Sequence, residues 1–249
     1  RGLSLYGSTT DGGARLFVST TPSQILEVNA SSRRWRRFAT LPRSSESHCA
    51  EWHAGLLYVA GGSCPREPAI NSFHVFNEAT GSWANLPPMP HAAAMAASGI
   101  IGNQLFVAGG YQLRTLQVYD IATRTWRLGA PIPKTCARSP GIIFDGKLFV
   151  LCYQLTSRGT FSGTLVYDPL SNSWTEERDV PWRGNYVAHA CAHDGRIVVF
   201  TDDRAPRAGD ALGSAYQRAS DGSWSPYYAG SSVGSLLGSI VGSESLLLG

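Results

Sequence analysis

The chain has 249 residues, 43% of them hydrophobic, which is enough for a sizeable core, while charged residues reach only 16% against roughly a quarter in typical soluble domains. Its net charge of +3 is too small to mark a nucleic-acid binder by itself, and no apolar run is long enough to cross a bilayer. With 27 glycines and 14 prolines, the composition predicts short elements joined by many turns.

Taken in order, the chain reads as five repeats of four β-strands, here called A to D. The first repeat has A at 2–8, B at 15–19, C at 25–29 and D at 34–38, with a turn at Asp11-Gly12-Gly13. The second has strands at 47–52, 56–60, 73–76 and 82–86, and the third near 93–101 and at 105–108, 116–119 and 125–128. The fourth has them at 141–144, 148–151, 164–167 and 173–175, and the fifth at 186–192, 197–200, 212–216 and 223–225. Each D strand runs into a loop bearing Pro or Gly, as strand ends should. His91 to Ser98, HAAAMAAS, has high helix propensity, yet its place in the repeat makes it strand A.

Particular residues recur within the repeats. Trp35, Trp83, Trp126, Trp174 and Trp224 stand at intervals of 48, 43, 48 and 50. An aromatic precedes three of them by seven positions: Phe76, Tyr119 and Tyr167. The fifth repeat offers Tyr216, eight before its Trp, and the first has Val28 at this place. Gly61-Gly62 and Gly109-Gly110 end two B strands, with Ser19-Thr20, Leu151-Cys152 and Phe200-Thr201 as counterparts elsewhere. Lacking Cβ atoms, the glycines would let backbone and a bulky ring approach closely. Asn77, Asp120 and Asp168 are placed to bond the amides ahead of them and fix the C–D turn.

The five cysteines, Cys49, Cys64, Cys136, Cys152 and Cys191, are odd in number and contain no CxxC pair. Free thiols in a reducing compartment, the cytoplasm or nucleus, are the expectation. Residues 1–11 lack the apolar core of a signal peptide, and the missing initiator Met predicts further chain upstream.

The glycine doublet, the Tyr-Asp before a turn and the Trp seven residues after the Tyr together resemble the kelch repeat, whose period is about 50 residues. The resemblance covers essentially the whole chain. It implies an all-β propeller with one four-stranded blade per repeat, strand A nearest the central channel, and Trp and Tyr rings filling the gaps between blades. The blades would be approximately 1–42, 43–90, 91–133, 134–181 and 182–226, with a partial one at 227–249. The tail at 235–241 and 245–249 reads as strands A and B of that sixth blade. Six blades, the last incomplete, are therefore expected, with five and an added hairpin as the alternative.

In kelch propellers the D–A and B–C loops emerge on one face, which commonly holds a partner. That rim would carry Arg43, Ser44 and Ser45, Arg66, His91, Tyr111 and Arg114, Lys134, Arg138 and Ser139, Tyr153, and Trp182, Arg183 and Asn185. Basic and aromatic groups outnumber acids there, a pattern suited to an acidic peptide, although each residue singly also fits an ordinary solvated loop. A second basic group, Arg33, Arg34, Arg36 and Arg37 around Trp35, is expected to decorate an exposed outer strand, with an acidic partner as the alternative. The resemblance is to the kelch regions of F-box/kelch proteins, and it implies a substrate-recognition propeller for a ubiquitin ligase, with neither nucleic acid nor membrane as partner. A sugar- or small-molecule-converting propeller enzyme and an actin binder are the alternatives. The chain has no GxSxG turn, HExxH or phosphate-binding loop, and no cofactor is expected. His189, Cys191 and His193 share one strand face but diverge too far to hold one ion easily, so packing is their expected role.

Overall fold

A computed structural model describes residues 5–10, 15–20, 23–29, 31–32, 34–156, 159–177, 186–193, 195–202 and 215–227. These form five four-stranded antiparallel sheets and, among the described residues, no helix. The first sheet comprises β1 (Leu5–Thr10), β2 (Arg15–Thr20), β3 (Gln24–Asn29) and β4 (Arg34–Thr40). The second holds β5 (Cys49–His53), β6 (Leu56–Ala60), β7 (Phe73–Asn77) and β8 (Ser82–Asn85). The third holds β9 (Ala97–Ile101), β10 (Gln104–Ala108), β11 (Leu116–Asp120) and β12 (Thr125–Leu128). The fourth holds β13 (Gly141–Phe144), β14 (Lys147–Thr156), β15 (Gly159–Asp168) and β16 (Ser173–Glu177), and the fifth β17 (Tyr186–His193), β18 (Arg196–Asp202), β19 (Ala215–Arg218) and β20 (Trp224–Pro226). Within every sheet the strands lie in chain order.

The core lies between blades. Four apolar clusters each combine residues of two consecutive sheets, so the B strands are covered on both faces and read as unbroken apolar runs. Leu105, Phe106, Val107 and Ala108 are each at most 1% exposed. Phe76, Tyr119 and Tyr167 face Trp83, Trp126 and Trp174 across the C–D pair, with ring centroids 5.1, 5.0 and 5.1 Å apart. Each of these Trp rings packs towards the preceding blade. The indole N–H groups of Trp126 and Trp174 donate to the Pro87 and Ala130 carbonyls of the linkers entering their blades, both at 2.8 Å. The C–D turns form as expected. Asn77 accepts from the Ala79 amide at 2.9 Å, Asp120 from Thr123 at 2.8 Å and Asp168 from Leu170 at 2.9 Å. Those amides hold Asp120 and Asp168 below the usual carboxylate range.

Several expectations need correction. In the fifth blade Trp224 faces Arg218, while Tyr216 pairs with Pro226. Arg218 is only 8% exposed; its guanidinium stacks over Phe149 at 5.1 Å and grips Glu177 with bonds of 2.7 and 3.1 Å. A flat cation with two neutralising oxygens thus fills the ring's place. Trp35 does not pack as the other Trp residues do: it is 56% exposed. The reason is geometric, since its blade has no preceding blade among the described residues. Neighbouring innermost strands adjoin from β1 to β5, β9, β13 and β17, but no comparable contact joins β17 to β1. Residues 228–249, on which the sixth blade rests, lie outside the described residues.

Residues 93–96 are irregular, and only 97–101 form a strand. In the fourth blade the B and C strands are each ten residues long and continue as one hairpin, pairing Tyr153 with Ser162 and Thr156 with Gly159. Residues 153 and 154 are therefore strand, not loop. Register also shifts the doublet's counterpart. Leu148 faces Tyr167 as Leu57 faces Phe76 and Leu105 faces Tyr119, which puts Cys152-Tyr153, not Leu151-Cys152, in the glycine positions. Finally, Cys136 and Cys152 are joined by a disulfide with Cα atoms 5.5 Å apart, leaving Cys49, Cys64 and Cys191 free. The loop between β12 and β13 passes the end of β14 and brings together two cysteines that their 16-residue separation does not pair. The thiol count therefore no longer argues for a reducing compartment.

Candidate partner-binding face

Pairing of Ala108 with both Ala97 and Leu116, and of Gln117 with Leu128, sets the start of A, the end of B, the start of C and the end of D at one edge of the blade. The D–A and B–C loops consequently share a face. Backbone hydrogen bonds knit them across blades. Gly62 donates to the Ala93 carbonyl at 2.8 Å and Gly110 to Cys136 at 3.0 Å, each reaching the loop of the next blade, while Tyr111 donates to Ala94 of its own blade at 2.9 Å. These bonds explain the doublet, and they correct its expected purpose. At Gly61 and Gly110 the close neighbour is main chain, not an aromatic ring: a Cβ on Gly110 would lie 2.7 Å from the Ala94 carbonyl oxygen, and one on Gly61 would collide with that of Ala93.

A second feature escaped the sequence reading. Ser47, Met95 and Arg138 all have left-handed backbone, with φ of 55°, 60° and 56°. Met95 donates its N–H to the Ser47 carbonyl at 2.9 Å, and Arg138 donates to Met95 at 3.0 Å. One residue per blade is thus locked to its predecessor just before strand A. The three positions repeat at the 48- and 43-residue steps of Trp35, Trp83 and Trp126, a spacing that contains the signal although none of the residue types favours positive φ.

The expected rim residues fall into distinct groups. Tyr111 is 56% exposed, and Ser44, Arg66, His91, Arg114 and Arg138 are exposed as well. Arg114 also donates through Nε to the Ile132 carbonyl at 2.9 Å, so part of its work is to hold its own loop. Arg43 is paired with Glu67, and Lys134 with Glu176 at 2.7 Å, which leaves the rim less basic than its composition implied. Ser139, 4% exposed, and Ser45 are buried and unable to meet a partner. Tyr153 is a strand residue whose side chain is outside the description, and Trp182, Arg183 and Asn185 lie outside the described residues. Cys191 is half-buried, and the side chains of His189 and His193 are likewise outside the description.

Two buried groups support the face. Gln117, fully buried, accepts from the His91 amide at 2.8 Å and donates to the His91 carbonyl at 3.1 Å, fixing that loop from beneath. His48 is buried between the first two blades, with Nδ1 3.2 Å from the Ser45 carbonyl and Nε2 2.8 Å from the Ser19 hydroxyl. A carbonyl only accepts, so Nδ1 carries the proton and neutral Nε2 accepts from Ser19. Burial pushes the imidazole pKa down from 6.5 to about 4. Over that interval the unfolded chain binds a proton the folded protein refuses. Stability complete above pH 6.5 is therefore lost as pH falls towards 4, on the order of 3 kcal/mol. Urea unfolding between pH 4 and 7 should show this slope, and His48→Gln should flatten it; an unchanged slope would exonerate His48.

Comparison with known proteins agrees with this geometry. A kelch motif model matches residues 47–90 and 92–133, the second and third blades. Kelch-like protein terF of Aspergillus terreus is 27% identical over 52% of the chain, and Kelch-like protein 40 of Mus musculus is 27% identical over 61%. F-box/kelch-repeat protein At2g29830 of Arabidopsis thaliana is 27% identical over 47%. The matches cover 30%, 25% and 31% of those relatives' own lengths. With five four-stranded blades among the described residues, aromatics paired between them and glycine doublets where the second and third blades' loops interlock, the chain has the fold of a kelch-repeat β-propeller.

Proposed function

We propose that this propeller is a protein-interaction module that holds its partner on the D–A/B–C face, and that it serves as the substrate-recognition part of a larger adaptor of the F-box/kelch kind. The observation that carries the reading is Tyr111, a large aromatic exposed to solvent whose own backbone N–H is bonded to the Ala94 carbonyl of the same blade, with Arg66 and Arg138 exposed on the same face. Aromatic and Arg side chains on a rigid support lose little entropy on binding and are frequent interface anchors. The two arginines have no ion pair among the described residues, so carboxylates of an acidic segment suit them. A relative bearing an F-box in its printed name supports the adaptor role. Tyr111→Ala with Arg138→Ala should reduce partner capture at least tenfold while leaving the unfolding midpoint within about 2 °C, because neither change touches the main-chain bonds. Capture unaffected by the pair would remove this face from consideration.

A further inference from the structure

The outermost strand of the first blade differs from its counterparts. Strand β4 has seven residues, against four in β8 and β12, five in β16 and three in β20. It pairs only with β3, so its outer edge presents main-chain N–H and C=O groups without a strand partner among the described residues. Arg34, Trp35, Arg36 and Arg37 are all exposed. Of the arginines only Arg36 has an ion pair among the described residues, with Glu27 at 2.6 Å. No other D strand carries more than one basic residue.

Charges on an exposed edge disfavour pairing with a second copy, because like strands would set arginine against arginine. The same charges favour an acidic strand. We propose that β4 accepts an extended, acidic segment of a protein partner as a fifth strand of the first blade, with carboxylates on Arg34 and Arg37 and main-chain bonds along the edge. Nucleic acid fits less well. The strand is about 24 Å long at 3.4 Å per residue, and with Arg36 neutralised by Glu27 it offers fewer free cations than a salt-stable phosphate tract requires. This wall is separate from the loop rim, and a further blade covering Trp35 would leave the edge open.

The test is fluorescence anisotropy of the intact protein with a labelled twelve-residue peptide of Glu-Glu-Thr-Thr repeats, which presents carboxylates on both faces of an extended strand, a Lys-Lys-Thr-Thr counterpart and a single-stranded RNA of similar length. The acidic peptide should bind, weakening as salt rises, and Arg34→Glu/Arg37→Glu should weaken it at least tenfold. Amide exchange in β4 should slow when peptide is bound, which a purely ionic association would not produce. Charge reversal at Arg66 and Arg138 should leave this binding intact, distinguishing the wall from the rim. The proposal fails if the acidic peptide does not bind, if the β4 reversal has no effect, if β4 exchange is unchanged, or if RNA binds in its place.

Discussion

Replacing Gly110 with alanine should lower the midpoint of thermal unfolding by about 6–12 °C, whereas the same change at Gly102 should lower it by only about 2–4 °C. Both glycines have positive φ, 115° and 57°. The difference is what surrounds them. A Cβ at Gly102 meets nothing within 4 Å, leaving a conformational cost of about 1 kcal/mol. At Gly110 it lies 2.7 Å from the Ala94 carbonyl oxygen, and the adjoining N–H bond to Cys136 must shift to relieve it. That adds a buried clash and a stretched interblade bond, for a total of about 3 kcal/mol. Equal midpoints for the two variants would mean that the doublet serves only its own turn and not the docking of consecutive blades.

Removing the Cys136–Cys152 disulfide should destabilise the fold by about 3 kcal/mol, the value for closing a loop of this length. The bond ties the end of β14 to the loop between β12 and β13, through which the chain enters the fourth blade. Cys152 occupies the position of Gly61 and Gly109, and Cys136 lies in the loop whose carbonyl receives the Gly110 amide. Where Gly61 and Gly109 admit the loop leaving their blade by absence of a side chain, Cys152 is bonded covalently to the loop entering its own. Unfolded without reductant, the protein should expose three titratable thiols of its five, and Cys136→Ala/Cys152→Ala should unfold at lower denaturant than the parent. Five thiols, or equal midpoints, would contradict the assignment.

What the chain reveals in sequence follows from where each constraint acts. The strands at 56–60, 125–128 and 141–144 emerge with the expected bounds because local apolar runs and turn residues define them. The aromatic pairs are equally legible, since Tyr and Trp seven apart must meet across a tight C–D turn. Arg218 was hidden because its stacking role depends on Phe149 and Glu177 from the neighbouring blade. Trp35 was misread for the converse reason: an aromatic at the right spacing buries only if a blade stands before it. The rim's residue types were visible, but not that Ser139 turns inward or that Glu67 and Glu176 neutralise Arg43 and Lys134. Those outcomes depend on loops that meet only once the blades are stacked.

The central claim is that partners meet this propeller on the D–A/B–C face. Leu170 provides an internal control, being 97% exposed in a C–D turn on the opposite face. A photo-crosslinking amino acid placed singly at 111 or at 170 in the full-length protein, with products quantified from cells, tests the claim most directly. Specific products from position 111, lost when Arg66 and Arg138 are changed to Ala, and few from position 170, are the predicted result. Equal yields from both positions, or products from 170 alone, would contradict it.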